Sequence, residues 1–134
     1  MQIQEHLRRA ASFESSARKL DPVEDTELYV VYLMRAGTSR VNAALHALGI
    51  TDVQASAARI GDLNHTYKPP LGAEPPAEVK AMFEPLSFIE NLRPQYVRGP
   101  SKLTAELVQS CRRAHEQVVA RSAAIIDRLK APAT

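Results

Sequence analysis

The sequence predicts an all-α fold, an antiparallel up-and-down bundle of four main helices plus one short helix. Apolar residues recur at steps of three and four along four long segments, which is the periodicity of a helix with one buried face. No segment shows the regular alternation of a half-buried strand. The chain has 134 residues, with five glycines and no tryptophan. We therefore expect one domain over residues 1–134, with a core of Leu, Val, Ile and Ala.

The first two helices are predicted from their end residues as well as from periodicity. The first covers about residues 4–19. The second opens with Asp21 as its N-cap and Pro22 in its first turn, and Glu24 stands where a carboxylate can accept the N–H of the cap. It ends at Gly49, because glycine is favoured just past the end of a helix.

A short helix and a long loop are predicted after Gly49. Thr51 or Asp52 is the expected cap of a short helix that ends near Ile60. Residues 62–76 contain four prolines, and an interior proline costs a helix about 3 kcal/mol or more, so this stretch is predicted to be a loop. Loops of about 15 residues are often functional or mobile.

The last two main helices differ in their regularity. The third is expected over about residues 76–92, where Pro85 should kink it or split it in two. Ser101 is the predicted N-cap of the last helix, whose apolar residues repeat at spacings of four and three as far as Leu129. The tail at residues 131–134 is expected to fray.

Composition and charge limit the classes of function and the cellular location. The net charge of +2 is small for a nucleic-acid-binding protein. Cys111 is the only cysteine, so no internal disulfide can form, which fits a reducing compartment. The N-terminal stretch is charged throughout, and no segment approaches the roughly 20 apolar residues of a membrane span. We therefore expect a cytoplasmic protein without a membrane partner.

One face of the second predicted helix carries polar side chains at steps of three and four. This face has three interpretations: a solvated surface, a buried polar strip that sets helix register, or the lining of a pocket or interface. Two residues of the long loop are the expected mobile contacts with a ligand or partner. The candidate ligand or interface residues from the helix and the loop are Arg35, Ser39, Asn42, His46, His65 and Tyr67.

Residues for a metal or cofactor site do not stand at recognised spacings. The chain has no Glu-x-x-His pair of the kind that holds two metal ions in a bundle, no Cys/His cluster with zinc spacing and no glycine-rich phosphate loop. The four histidines, at positions 6, 46, 65 and 115, lie on separate elements and converge only if folding brings them together. The sequence alone therefore predicts no metal and no cofactor.

A basic connector precedes the last helix. Arg93, Arg98 and Lys102 lie within ten residues, and no acidic residue stands between them. They are candidates for binding phosphate at the N-terminus of the last helix, where backbone N–H groups and the helix dipole favour anions. The alternative is a solvated loop whose arginines cap carbonyl groups of the preceding helix.

The chain also resembles a known superfamily. Arg40 and His46 lie in an Ala-rich second helix with five residues between them. His65 lies in a later loop, followed by an Arg-x-x-Tyr connector at residues 93–96 and a long final helix. In this layout the chain resembles the HEPN superfamily of small helical bundles, whose catalytic signature is Arg, four to six residues, then His. The resemblance implies a ribonuclease in which Arg40 binds phosphate and His46 is the general acid or base.

The chain departs from the HEPN pattern in two ways. Val41 follows Arg40, where the family often has a polar residue, and the pair lies in the second helix rather than later in the chain. Geometry adds an objection, because six residues turn a helix by about 600°. This leaves Arg40 and His46 about 120° apart around the axis and about 9 Å apart along it.

The sequence leaves three functions open. The first is a non-catalytic interaction or regulatory module, homodimeric or bound to a partner protein, that uses the polar and small-residue faces of the second helix. The second is a HEPN-type ribonuclease with RNA as its partner. The third is a small-ligand-binding bundle with a pocket near Arg35, Asn42, His46 and His65. The small residues of the proposed interface are Ala36, Gly37, Ala43, Ala44 and Ala47.

Overall fold

The computed structural model describes residues 1–65, 68, 70–71 and 74–130, which form a four-helix bundle. None of these residues lies in a strand, so the all-α prediction is confirmed. No described helix is long and apolar enough to cross a membrane. Tyr67 and the tail at 131–134 lie outside the described residues. The helices are α1 (Ile3–Arg18), α2 (Thr26–Leu48), α3 (Ala77–Glu90) and α4 (Ala105–Lys130), with a π-helical turn at Arg93–Val97.

The hydrophobic core shows that consecutive helices run antiparallel. In one half of the core, the end of α2 meets the beginning of α3 and the end of α4, where Met82 and Ile125 are buried. In the other half, the beginning of α2 meets the end of α3 and the beginning of α4 through Val30, Ile89 and Val108. Helix α2 is central, because it packs against α1, α3, α4 and the π-helical turn. Several polar residues of α2 are therefore buried together with its apolar residues.

Gly37 allows α2 to approach α3 and α4 closely. A Cβ atom at this position would lie 2.6 Å from Leu86 Cδ1 and 3.9 Å from Val118 Cγ1. The first distance is shorter than the optimal separation of about 3.5–4.0 Å between carbon atoms. Ala43 and Ala44 on the same helix have no exposed surface. The small-residue face of α2, which the sequence offered as an interface with another chain, thus packs inside this one.

Helix α2 begins one turn later than predicted, at Thr26 rather than just after Asp21. Asp21 still caps the preceding turn, since its Oδ1 accepts the N–H of Glu24 at 3.2 Å. The carboxylate that accepts the Asp21 N–H is that of Asp25, at 3.0 Å, and not that of Glu24. The Thr26 hydroxyl oxygen accepts the buried N–H of Leu103 at 3.0 Å. This bond ties the start of α2 to the segment before α4.

The other predicted ends of α2 and α3 agree with the structure. Gly49 follows α2 in the left-handed conformation, with a φ of 75°, and donates its N–H to the His46 carbonyl at 3.1 Å. Helix α3 starts after Pro76 and ends at Glu90. Pro85 lies inside this helix and does not divide it in two.

The short helix predicted over residues 51–60 is wrong, and this segment is irregular. Thr51, expected as a cap, directs its hydroxyl to His46 instead, so it is not available to a following helical turn. The N–H of Asp52 bonds the carbonyl of Ile60 at 2.8 Å and closes the segment into a loop. The short helical piece of this fold is the π-helical turn between α3 and α4.

Helix α4 also begins later than predicted, at Ala105 and not after Ser101. Thr104 caps it, because its Oγ1 accepts the N–H of Leu107 at 3.1 Å. Leu103 is held outside the helix by the bond from its N–H to α2. This hydrogen bond to α2 explains why the helix does not begin after Ser101, the predicted N-cap.

We expect Gly37→Val to lower the free energy of unfolding by about 2 kcal/mol, because overpacking a filled core costs roughly 1–3 kcal/mol. Urea unfolding followed by circular dichroism measures the change. Ala11→Val, at an exposed position of α1, is the matched control and should cost less than about 1 kcal/mol. Equal losses in the two variants would contradict close packing at Gly37.

Candidate functional site

The polar face of α2 is mostly buried. Ser39, Asn42 and His46 are all less than a tenth exposed, whereas Arg35 is exposed. The interpretation of this face as a solvated surface is therefore wrong for the three buried residues. Buried polar atoms need partners inside the protein, and those partners define the site.

Asn42 holds the segment that follows the irregular stretch. Its Nδ2 donates to the Leu63 carbonyl at 3.0 Å, and its Oδ1 accepts the Leu63 N–H at 2.7 Å. Both bonds are buried, and the Leu63 side chain joins the hydrophobic core. The side-chain amide thus satisfies both backbone groups of one loop residue and fixes the position of its neighbour Asp62.

The two hydrogen bonds between Asn42 and Leu63 form a tether, the Asn42 tether. His6, His46 and Asp62 form a compact cluster beside it. The Nε2 atoms of His6 and His46 each lie 2.7 Å from Oδ1 of Asp62. The two imidazole rings have centroids 5.3 Å apart. Their nitrogens and the carboxylate oxygen all lie within 4.8 Å of one another, which is a set of atoms that can hold a metal ion. The histidines that are separate in sequence therefore do converge.

The far nitrogens of the two rings have different surroundings. Nδ1 of His46 lies 2.6 Å from the hydroxyl oxygen of buried Thr51. Nδ1 of His6 is buried and has no hydrogen-bond partner among the described residues. The ring of His46 is thus fixed by a polar contact behind it, while the ring of His6 is positioned by packing and by Asp62.

The cluster has well-defined electrostatics. Burial alone would raise the pKa of Asp62, but hydrogen bonds from His6 and His46 and from the Met1 amino group outweigh it and lower the pKa to about 2. Burial lowers the pKa of His6, and its bond to Asp62 only partly offsets this effect. At neutral pH the cluster combines an ionised carboxylate with an uncharged His6.

A cavity of about 200 Å³ opens beside the cluster, between α1, α2 and residues 61–65. His6 and Asp62 line it, together with Asn42 of the tether. Two arginines, Arg9 and Arg35, stand at its rim on opposite helices. Of the four predicted pocket residues, Arg35, Asn42 and His65 line this cavity and His46 does not. Tyr67 lies outside the described residues.

The rim of the cavity is positively charged. Burial lowers the pKa of His65, and the charges of Arg35, Lys68 and Arg93 lower it further. Lys68 is paired with Glu90 at 2.5 Å, but Arg35 has no acidic partner within 4 Å in the described part of the chain. The positive charge nearest the cavity is therefore not neutralised by the protein.

Arg40 and His46 lie in different clusters. Arg40 forms two hydrogen bonds with the carboxylate of Glu14, at 2.7 and 3.1 Å, and Nε2 of His115 lies 2.6 Å from the same carboxylate. This ion cluster joins α1, α2 and α4 at one edge of a larger cavity, of about 610 Å³. In the proposed nuclease pair, Arg40 is therefore bonded to Glu14 and His46 to Asp62.

The three cations of the basic connector, Arg93, Arg98 and Lys102, do not form one cluster at the N-terminus of α4. Arg93 donates to the Glu90 carbonyl at 3.2 Å, which is the capping role that the sequence left as the alternative. Lys102 donates to the Glu24 carbonyl at 2.8 Å, before α2. Arg98 is exposed. Since α4 begins only at Ala105, the three cations precede its first turn.

Sequence reasoning gave no site role to Arg9, Thr38 or Asp62, and none to His6. One signal could have found His6, because it lies three residues after Ile3 and four before Ala10, on the apolar side of α1. A titratable residue on a buried face needs a partner. No local signal marks Asp62, which reaches the site only through the fold.

Comparison of the chain with protein-family models, with curated proteins and with solved structures finds no match.

We expect Asn42→Asp to lower the free energy of unfolding by about 3 kcal/mol at pH 7. The substitution keeps the shape but sets a buried carboxylate against the Leu63 carbonyl, so one bond is lost and one charge is unsatisfied. Asn91→Asp, an exposed change of the same kind, should cost about 1 kcal/mol or less. Similar urea midpoints for the two variants would show that the tether contributes little.

The Glu14 cluster predicts a pH dependence of stability. Burial raises the pKa of Glu14, but hydrogen bonds from His115 and Arg40 outweigh this and lower the pKa to about 2, against 4.5 as its ordinary value. Its contribution is therefore complete above about pH 4.5 and is lost as the pH falls toward 2.

We accordingly expect Glu14→Gln to be less stable than wild type by about 3 kcal/mol at pH 7, and by progressively less below pH 4.5. Glu116→Gln, an exposed neutralisation on α4, should change stability by less than about 0.5 kcal/mol. Urea unfolding at a series of pH values checks both, and a Glu14→Gln difference that is constant with pH would refute the assignment.

Proposed function

We propose that this protein is a small-ligand-binding bundle whose cavity between α1, α2 and residues 61–65 binds an oxyanion, the phosphate or carboxylate group of a small molecule. The observation that carries this proposal is the unneutralised positive charge at the cavity rim. It deepens the third function predicted from the sequence, the pocket near Arg35, Asn42, His46 and His65.

Arg35 and Arg9 supply the charge from two helices. Their guanidinium carbons lie 5.9 and 5.8 Å from the centre of the Phe13 ring, which also lines the cavity. Neither arginine has a hydrogen bond or ion pair to a described acidic side chain. Guanidinium groups held over a ring keep their N–H donors directed outward, a suitable arrangement for a planar or tetrahedral oxyanion.

The remaining polar groups favour the same class of ligand. His65 lies on the cavity wall, close enough to Arg35 for the arginine charge to affect its pKa. Thr38 also lines the cavity, and its buried hydroxyl has no partner among the described residues. Asp62 is the acidic group on the wall, and its charge is engaged by His6 and His46.

The size of the cavity limits the ligand. Pockets for drug-sized molecules occupy about 300–1,000 Å³, and this one measures about 200 Å³. It suits a compact acid or phosphate ester of few non-hydrogen atoms rather than a nucleotide.

The other two functions remain predictions with less support from these contacts. An interaction module would need a different face, because Ala36, Gly37, Ala43 and Ala44 of α2 are buried within this chain. A nuclease would need Arg40 and His46 to act on one phosphate, whereas each is bound to its own carboxylate. The homodimer and the HEPN resemblance likewise stay predictions.

Calorimetric titration with inorganic phosphate and with acetate, against sodium chloride at equal ionic strength, tests the proposal. We expect saturable binding of at least one of the two oxyanions and a matching rise in melting temperature, since a ligand at 100 times its Kd stabilises by about 2.7 kcal/mol. Arg35→Gln should weaken binding at least about tenfold, the effect of losing one charge-assisted hydrogen bond.

Arg98→Gln is the control for loss of a positive charge, because Arg98 is exposed on the connector and does not line the cavity. It should leave the affinity unchanged. If neither oxyanion gives more heat or stabilisation than chloride, or if both arginine variants bind equally well, the proposal is overturned.

A further inference from the structure

We infer that His6, His46 and Asp62 form a binding site for one divalent transition-metal ion beside the cavity, whose wall includes His6 and Asp62. This goes beyond the proposed oxyanion site, because the three ligands are distinct from the arginines that would hold the oxyanion. The inference rests on the convergence of the three side chains, on the contact behind His46 and on the way Asp62 is held.

The three groups present one donor atom each toward a common point. Both Nε2 atoms lie 2.7 Å from Oδ1 of Asp62, and all three atoms lie within 4.8 Å of one another. Ligands at about 2.0–2.2 Å from a tetrahedral metal ion stand roughly 3.3–3.5 Å apart. The Asp62 side chain is 36% exposed, so a shift of less than about 1 Å would bring both nitrogen–oxygen distances to this spacing.

The contacts around His46 and Asp62 are of the kind that orient metal ligands. A histidine ligand commonly uses its second nitrogen to bond a fixed polar group, which orients the ring. Nδ1 of His46 does this with the hydroxyl of Thr51, whose residue is only 1% exposed. The tether of Asn42 to Leu63 holds the neighbouring carboxylate in place. The two rings and the acid are therefore positioned before any ion arrives.

The chemistry of the donors selects the class of ion. Two imidazole nitrogens with one carboxylate suit zinc, cobalt or iron in the divalent state. Magnesium and calcium prefer sites made only of oxygen atoms. Three protein ligands leave at least one coordination position open. Since His6 and Asp62 also line the cavity, that position would be reached through the cavity mouth.

The test is titration of the chelator-treated full chain with Zn²⁺ by calorimetry, and with Co²⁺ by its visible absorption. We expect one Zn²⁺ per chain, Co²⁺ bands typical of nitrogen and oxygen ligands, and no binding of Mg²⁺. Asp62→Asn alters an exposed side chain and should keep the fold, but should weaken Zn²⁺ binding at least about tenfold. Thr51→Val, which keeps the side-chain shape, should weaken it by about 10–100-fold.

His65→Gln is the control for loss of an imidazole, because His65 lines the cavity but is not in the metal cluster. It should keep wild-type Zn²⁺ affinity and weaken oxyanion binding. Absence of stoichiometric Zn²⁺ binding to the folded chain overturns the inference and leaves a hydrogen-bonded triad. Wild-type affinity in both Asp62→Asn and His6→Gln overturns it as well. Neither result bears on the oxyanion proposal.

Discussion

Two buried hydrogen bonds between the Asn42 side chain and the backbone of Leu63 hold the candidate site together. The segment that contains Leu63 has no regular secondary structure, so its backbone groups need partners from elsewhere. One amide supplies both a donor and an acceptor, as a neighbouring strand would. The same contact places Asp62 beside the histidines and closes the cavity wall. The tether therefore links the stability of a loop to the geometry of the site.

The central position of α2 explains why this helix carries two electrostatic clusters. On one side, Arg40 meets Glu14 of α1 near α4, and on another, His46 meets Asp62 of the loop. Each carboxylate accepts bonds from two side chains, which offsets the cost of its burial. The clusters connect elements that are distant in the chain.

The cavity combines two kinds of group that are chemically complementary. Its rim carries the charged groups of Arg9 and Arg35, which face water, while His6 and Asp62 lie on its wall. Uncharged imidazole nitrogens bind metal ions, and guanidinium groups bind oxyanions. An anion held by the rim would sit next to the open side of a metal ion held at the wall. This arrangement brings both proposed ligands into a cavity of about 200 Å³.

The sequence by itself determined the four helices, the all-α class and the stop at Gly49, because periodicity and glycine geometry act locally. It also predicted a pocket near Arg35, Asn42, His46 and His65, of which all but His46 line the cavity beside the cluster. Only the tertiary structure decided that the polar face of α2 is buried and that Thr51 contacts His46 instead of starting a helix. His6 and Asp62 are 56 residues apart in the chain. Their meeting depends on helix packing and on the Asn42 tether, and no local pattern encodes contacts of that range.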